Sequence, residues 1–140
     1  MTSITRRYSF SASHRLHSAE LSTAENTRLF GKCNNPFGHG HDYVLEVTVA
    51  GDPDVVSGLI VPISWLDELV ADKILRPFRN RYINLDVAQF ANLVPTTENV
   101  TQVAADLLGR DWREYIGEGM ARLEKVRIEE TGRNSCEIYV

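Results

Sequence analysis

The chain is 140 residues long, enough for a single domain spanning residues 1–140 to bury its own core. Hydrophobic residues make up 43% and charged residues 24%, and no low-complexity tract or internal repeat interrupts that globular balance. A formal net charge of −4 argues against a general nucleic-acid binder, and no apolar run reaches membrane-spanning length.

The first strand is predicted over Arg7–Leu16. Tyr8, Phe10, Ala12, His14 and Leu16 fall on one face, with Arg7, Ser9, Ser11, Ser13 and Arg15 on the other. His14 is thus a core-facing imidazole near the strand's end, whereas His17 falls on the opposite face. Ser18–Lys32 follows as a connector, with Ser22 and Glu25 spaced as a capping box that predicts a short helix or turn. Cys33 comes next, then His39-Gly40-His41 running into a second strand. There Tyr43, Leu45, Val47 and Val49 share a face, and the same period of two puts His39 and His41 on it. One inward histidine is usually a satisfied core residue, but two neighbouring imidazoles need two sets of partners. If the strands pair antiparallel, the end of the first meets the start of the second and brings His14 alongside. A three-histidine set with an open fourth position is the pattern of a catalytic zinc.

Gly51–Asp54 reads as a turn and Gly58–Pro62 as a short apolar segment. Ser64 and Asp67 then predict a capped helix whose inner face is Leu66, Leu69, Val70, Lys73 and Ile74, ended by Pro77. Arg76–Asp86 reads as a basic loop, either a solvated segment or a phosphate-binding patch. A second helix begins at Thr96-Thr97-Glu98, buries Val100, Val103, Ala104, Leu107 and Leu108, and is expected to stop at Gly109. Glu98 suits the first turn as a dipole-friendly carboxylate. The last strands are predicted over Leu123–Glu130 and Ser135–Val140. Val126, Ile128 and Glu130 share one face, and Cys136 reads as a small buried hydrophobe. The order β-β-α-α-β-β predicts an α+β fold, a four-stranded antiparallel sheet with two helices on one face. Two cysteines, with no apolar leader in Met1–Arg7, predict reduced thiols in a cytoplasmic protein.

Five stretches together resemble the 6-pyruvoyl-tetrahydropterin synthase family: Ser9–Leu16, Phe30–Pro36, Gly38–His41, Thr96–Val100 and Glu130-Thr131. They occur in the family's order along nearly the whole chain, and Ser-x-His followed by Cys-x5-His-Gly-His is a specific signature. The resemblance implies the tunnelling fold, whose subunits join through their sheets into barrels, commonly a homohexamer built as a dimer of trimers. It implies a zinc-dependent lyase of tetrahydrobiopterin biosynthesis, converting 7,8-dihydroneopterin triphosphate to 6-pyruvoyl-tetrahydropterin with elimination of triphosphate. His14, His39 and His41 match the zinc ligands, Cys33 the catalytic base, and Glu130 the carboxylate that anchors the pterin. Thr96, Thr97 and Glu98 match positions lining the pterin pocket, and Mg2+ is expected to accompany the triphosphate.

One departure stands out. The family's proton-relaying Asp-His pair falls on Arg79-Asn80, and neither an arginine nor an asparagine can act as a general acid or base near neutral pH. Arg79 is read instead as a contact to phosphate or as a cation that depresses the Cys33 pKa. A pterin-binding paralogue with weak or no turnover is therefore the alternative from a different class. The related 6-carboxytetrahydropterin synthase is a second enzyme reading. The Cys33-to-His39 spacing and Asn34-Asn35-Pro36 favour the pyruvoyl type.

Overall fold

Thr2–His14 (β1), His39–Gly51 (β2), Ala121–Thr131 (β3) and Asn134–Tyr139 (β4) form one antiparallel sheet in the order β1-β2-β3-β4. The structure, a computed structural model, describes residues 1–119 and 121–140. Alternation decides which face is buried: Tyr43, Leu45, Val47 and Val49 of β2 are all 0% exposed, while Asp42 just before them is open to solvent and Val44 and Glu46 between them are half-buried. Helices cover that inner face. Leu66, Leu69 and Val70 of Ile63–Val70 (α2) and Val100, Ala104 and Leu108 of Thr97–Arg110 (α5) complete the core.

The β1–β2 register pairs Phe10 with Tyr43, Ala12 with His41 and His14 with His39, so the end of one strand lies against the beginning of the next. Between them, Thr23–Phe30 (α1) begins with the expected reciprocal cap. Glu25 N donates to Ser22 Oγ and Ser22 N to Glu25 Oε1, both at 3.1 Å.

Several boundaries differ from expectation. β1 starts at Thr2, because its ladder with β2 extends to the Thr2–Gly51 pair, and it ends at His14. Leu16 N leaves the sheet to donate to Cys33 O at 2.8 Å. The Ser64–Asp67 cap does not form. Pro62 stands at the N-cap of α2, and Asp67 instead accepts from Arg6 Nε at 2.8 Å and Tyr8 Oη at 2.7 Å. Lys73 is only half-buried and reaches Asp111, with Nζ 2.7 Å from the carboxylate.

Nor does Pro77 end the helical run. A wide turn over Ala71–Leu75 carries it into Arg76–Phe78 (α3), so that the run ends one residue beyond Pro77. The expected loop also contains Ile83–Asp86 (α4), held down by its own buried first residue, Ile83, with Phe78 buried ahead of it. Gly109 is passed without a break, and Trp112–Ile116 (α6) follows, anchored by its two buried end residues. Cys136 is half-buried rather than buried. Among the described residues, no helix is long and apolar enough to cross a membrane.

Candidate metal centre and active site

His14, His39 and His41 project from the inner face at the β1–β2 end, and their ligating nitrogens all lie within 4.8 Å of one another. The ring centroids are 4.8 Å (His14–His39), 4.9 Å (His14–His41) and 4.8 Å (His39–His41) apart, each pair edge-on. His14 is fully buried. Its Nδ1 is 2.8 Å from Pro95 O, an acceptor only, so that nitrogen carries the proton and Nε2 presents a lone pair inward. His14 Nε2 faces His39 Nε2 at 3.2 Å. His41 Nε2 is buried without a hydrogen-bond partner; the nearest acid oxygen, Glu130 Oε1, is 3.5 Å away, too long and poorly directed to serve.

Burial is the main cause holding His14 below the ordinary imidazole pKa, opposed by its bond to Pro95 O. Burial, then the neighbouring His41, likewise lowers His39. These rings are therefore held neutral, the state in which imidazole ligates a metal. A partnerless buried nitrogen on His41, beside the inward lone pair of His14 and the Nε2 of His39, is an arrangement that a divalent ion satisfies and apolar packing does not. The donor set fits a borderline transition metal with an open position.

Glu130 ends the inward row of β3. Thr97 Oγ1 donates to its Oε2 at 2.7 Å and in turn accepts from Asn134 Nδ2 at 3.2 Å. Glu130 Oε1 is left facing His41. Thr96 caps α5, accepting from Asn99 N at 3.2 Å, whereas Glu98 is exposed. Tyr43 lies fully buried beneath the rings with its hydroxyl 3.3 Å from His14 Nδ1, and burial together with Glu130 keeps its phenol protonated.

Cys33 sits half-buried in a tight turn, Gly31–Asn34, strapped to the residues that follow His14. Asn34 Nδ2 donates to Leu16 O at 2.8 Å and Arg15 Nε to Asn34 O at 3.1 Å. Its thiol stands outside the group of nitrogen donors. Gly38, at φ +72°, lies so close beneath His14 that a Cβ there would sit 2.9 Å from His14 O.

Arg79 and Asn80 are exposed and run along the free edge of β1, where Asn80 N donates to Ser11 O at 2.7 Å and Ser13 N to Arg81 O at 2.9 Å. They line a cleft with Ser9, Ser11 and Asp42, residues whose alternation is opposite to that of His14. Asn80 adopts φ 58°, a conformation asparagine tolerates better than most residues. Sequence reasoning had passed over Pro95, Tyr43 and Asn134. A backbone carbonyl such as Pro95 O leaves no trace in residue type. Asn134, by contrast, lies on the same alternating row as Cys136 and could have been found by counting back from it.

An antiparallel sheet flanked by helices, with three imidazoles and a carboxylate gathered at one end, defines an α+β domain with a candidate metal site. Residues 3–139 match the family described as 6-pyruvoyl tetrahydropterin synthase. The chain is 43% identical over 131 residues to the 6-pyruvoyl tetrahydrobiopterin synthase of Homo sapiens, covering 94% of this chain and 86% of that one. The Drosophila melanogaster protein of the same name is 40% identical, with 94% and 75% covered. The solved structure of the Caenorhabditis elegans 6-pyruvoyl tetrahydropterin synthase superposes with a TM-score of 0.89 at 37% identity, covering 99% of this chain and 95% of that one. The chain belongs to the 6-pyruvoyl tetrahydropterin synthase family.

Proposed function

We propose that this chain is a zinc-dependent carbon–oxygen lyase that converts 7,8-dihydroneopterin triphosphate to 6-pyruvoyl-tetrahydropterin, releasing triphosphate. The observation that carries the reading is the orphaned, buried Nε2 of His41 between two other inward imidazoles and next to Glu130. The names of the relatives at about 40% identity point the same way. His14, His39 and His41 would hold the ion. Bound there, it would act as a Lewis acid that polarises side-chain oxygens of the substrate.

The remaining roles fall to the chain's own groups. Glu130 accepts hydrogen bonds from the amino and imino edge of the pterin, with Thr97 fixing one of its oxygens. Thr96 and Glu98 border the same pocket at the start of α5. Cys33 serves as the base that takes a proton from the substrate side chain, on a turn tied to the strand carrying His14. Mg2+ accompanies the triphosphate, and Arg79 offers an exposed guanidinium to it. No nicotinamide is required, since the hydrogens move within the substrate. A cytoplasmic homohexamer of single-domain chains, a dimer of trimers joined through their sheets, agrees with the outward edges of β1 and β4 being sheet ends.

A second reading rests on Arg79-Asn80. Neither side chain can relay a proton, and both lie beside outward-facing residues of β1. On that reading the protein binds the pterin without turnover. Triphosphate release from purified protein and 7,8-dihydroneopterin triphosphate separates the two: release well above a Cys33→Ala control supports the lyase. Binding without release supports the second reading and overturns the first.

A further inference from the structure

The β3–β4 hairpin has a residue with no role in the reading so far. Asn134 opens β4 on the row that continues through Cys136 and Ile138; Cys136 pairs with Ile128 and Ile138 with Val126 across the ladder. Glu130 is the next inward residue of β3 after Ile128; the ladder shifts register there, and Asn134 pairs with Thr131, the residue that follows Glu130. The start of α5 lies over both.

The hydrogen bonds between them have a direction. Asn134 Nδ2 can only donate, and it does so to Thr97 Oγ1 at 3.2 Å. The single hydroxyl hydrogen of Thr97 is thereby turned toward Glu130 Oε2, 2.7 Å away. Thr97 is held from its own side as well, since it is buried and its carbonyl accepts from Thr101 Oγ1 at 2.6 Å. Glu130 therefore has one oxygen fixed by a charge-assisted bond and the other, Oε1, left toward His41 and the cavity.

The alternative is that Asn134 merely suits a turn. Its backbone gives that little support. Among the described residues only Asn80 has a positive φ outside glycine, so Asn134 needs no left-handed conformation, and it pairs with Thr131 as a strand residue. Within the turn, it is Arg133 N that makes the local bond, to Thr131 Oγ1.

We propose that Asn134 is a positioning residue for the pterin site: by donating to Thr97 it sets the direction of the Thr97 hydroxyl, and so the orientation of the Glu130 carboxylate that meets the substrate. This rests on the reading of Glu130 as the pterin anchor. The general rule behind it is that a polar chain ending on a charged group acts as a unit.

Asn134→Asp tests it, because the shape is kept while the donor becomes an acceptor that competes for the Thr97 hydrogen. The probe is 7,8-dihydroneopterin, titrated into zinc-loaded protein, alongside KM and kcat for the triphosphate. Binding of the probe to wild type, weakened by Glu130→Gln, first establishes the anchor; without it the underlying reading fails, independently of Asn134. Given that, Asn134→Asp should weaken binding and raise KM by about five- to tenfold with kcat little changed, the size of one hydrogen bond to a charged group. In a Thr97→Val background the same change should cost nothing further. Arg133→Ala in the same turn should leave both constants as they are. An unaltered dissociation constant in Asn134→Asp, an equal loss with Thr97→Val already present, or a loss that follows zinc content would overturn the proposal.

Discussion

His14 and His39 sit directly opposite each other across the β1–β2 ladder, with their Nε2 atoms 3.2 Å apart. With His14 Nε2 presenting a lone pair, His39 Nε2 can donate its hydrogen across that gap, and a divalent ion taking both lone pairs would displace that hydrogen. Replacing His14 by alanine should lower zinc affinity by more than the ten- to hundredfold typical of losing an outer-shell partner. Metal analysis after dialysis checks this.

The same two rings make the metal-free chain acid-sensitive. Both have folded-state pKa values below the ordinary 6.5, chiefly through burial. The unfolded chain therefore binds more protons than the folded one as the pH drops below 6.5, and stability falls there until the folded rings themselves titrate. Urea melts of metal-free protein between pH 7.5 and about 5 should show the midpoint dropping. In His14→Ala/His39→Ala the dependence should flatten.

Asp67 carries the same sign in a lower pH window. Arg6 and Tyr8 both donate to its carboxylate, and the Arg6 hydrogen bond leads the causes holding it below 3.8. Its contribution is complete above 3.8 and disappears as the pH falls through the lower folded value. Because the pair is more than a third exposed on each side, solvent limits the loss in Asp67→Asn to about 1 kcal/mol. Comparing variant and wild-type melts at pH 6 and pH 3 gives the test, with the gap closing at the lower pH.

Gly38→Ala should be costly out of proportion to one methyl group. Its φ of +72° is unfavourable for alanine, and the added carbon would press on His14 O at 2.9 Å and the Tyr82 ring at 3.1 Å. The half-buried Tyr82 ring can swing aside, but the nearer wall is the backbone of His14, so relief there shifts either the Gly38 turn or the histidine cluster. A loss of about 1–3 kcal/mol is expected, together with weaker zinc binding.

The histidine cluster was legible because it depends on periods and registers. Alternation placed His14, His39 and His41 on one face, and antiparallel pairing of consecutive strands brought them together. The family signature supplied Glu130 and Thr97. The stretch from Ser64 to Asp86 was not legible. Its apparent cap at Ser64 was decoyed by an aspartate serving Arg6, over sixty residues away in sequence, and Pro77 looked like a stop though the helical run ends one residue beyond it. Contacts across that separation leave no local mark. Pro95 escaped for the same reason: its carbonyl, not its side chain, fixes the His14 tautomer.

Asn34 joins the thiol to the metal centre without touching either reacting group. Its amide donates to Leu16 O at 2.8 Å and its carbonyl accepts from Arg15 Nε at 3.1 Å, so the turn bearing Cys33 is tied on both sides to the chain leaving His14. In Asn34→Ala the Arg15 bond to the Asn34 carbonyl and the Leu16 N bond to Cys33 O survive, so the turn should stay folded against the chain leaving His14. It should lose the side-chain brace that sets its tilt and with it the aim of the thiol. Misplacing a catalytic group by about 1 Å can cost on the order of a hundredfold in rate. Turnover of 7,8-dihydroneopterin triphosphate should therefore fall about ten- to a hundredfold while zinc content holds. The melting temperature should drop by no more than a few degrees, the effect of one partly exposed hydrogen bond. Single-turnover rates read beside zinc content and melting curves check it; equal losses in all three would mean that Asn34 holds the fold rather than the thiol.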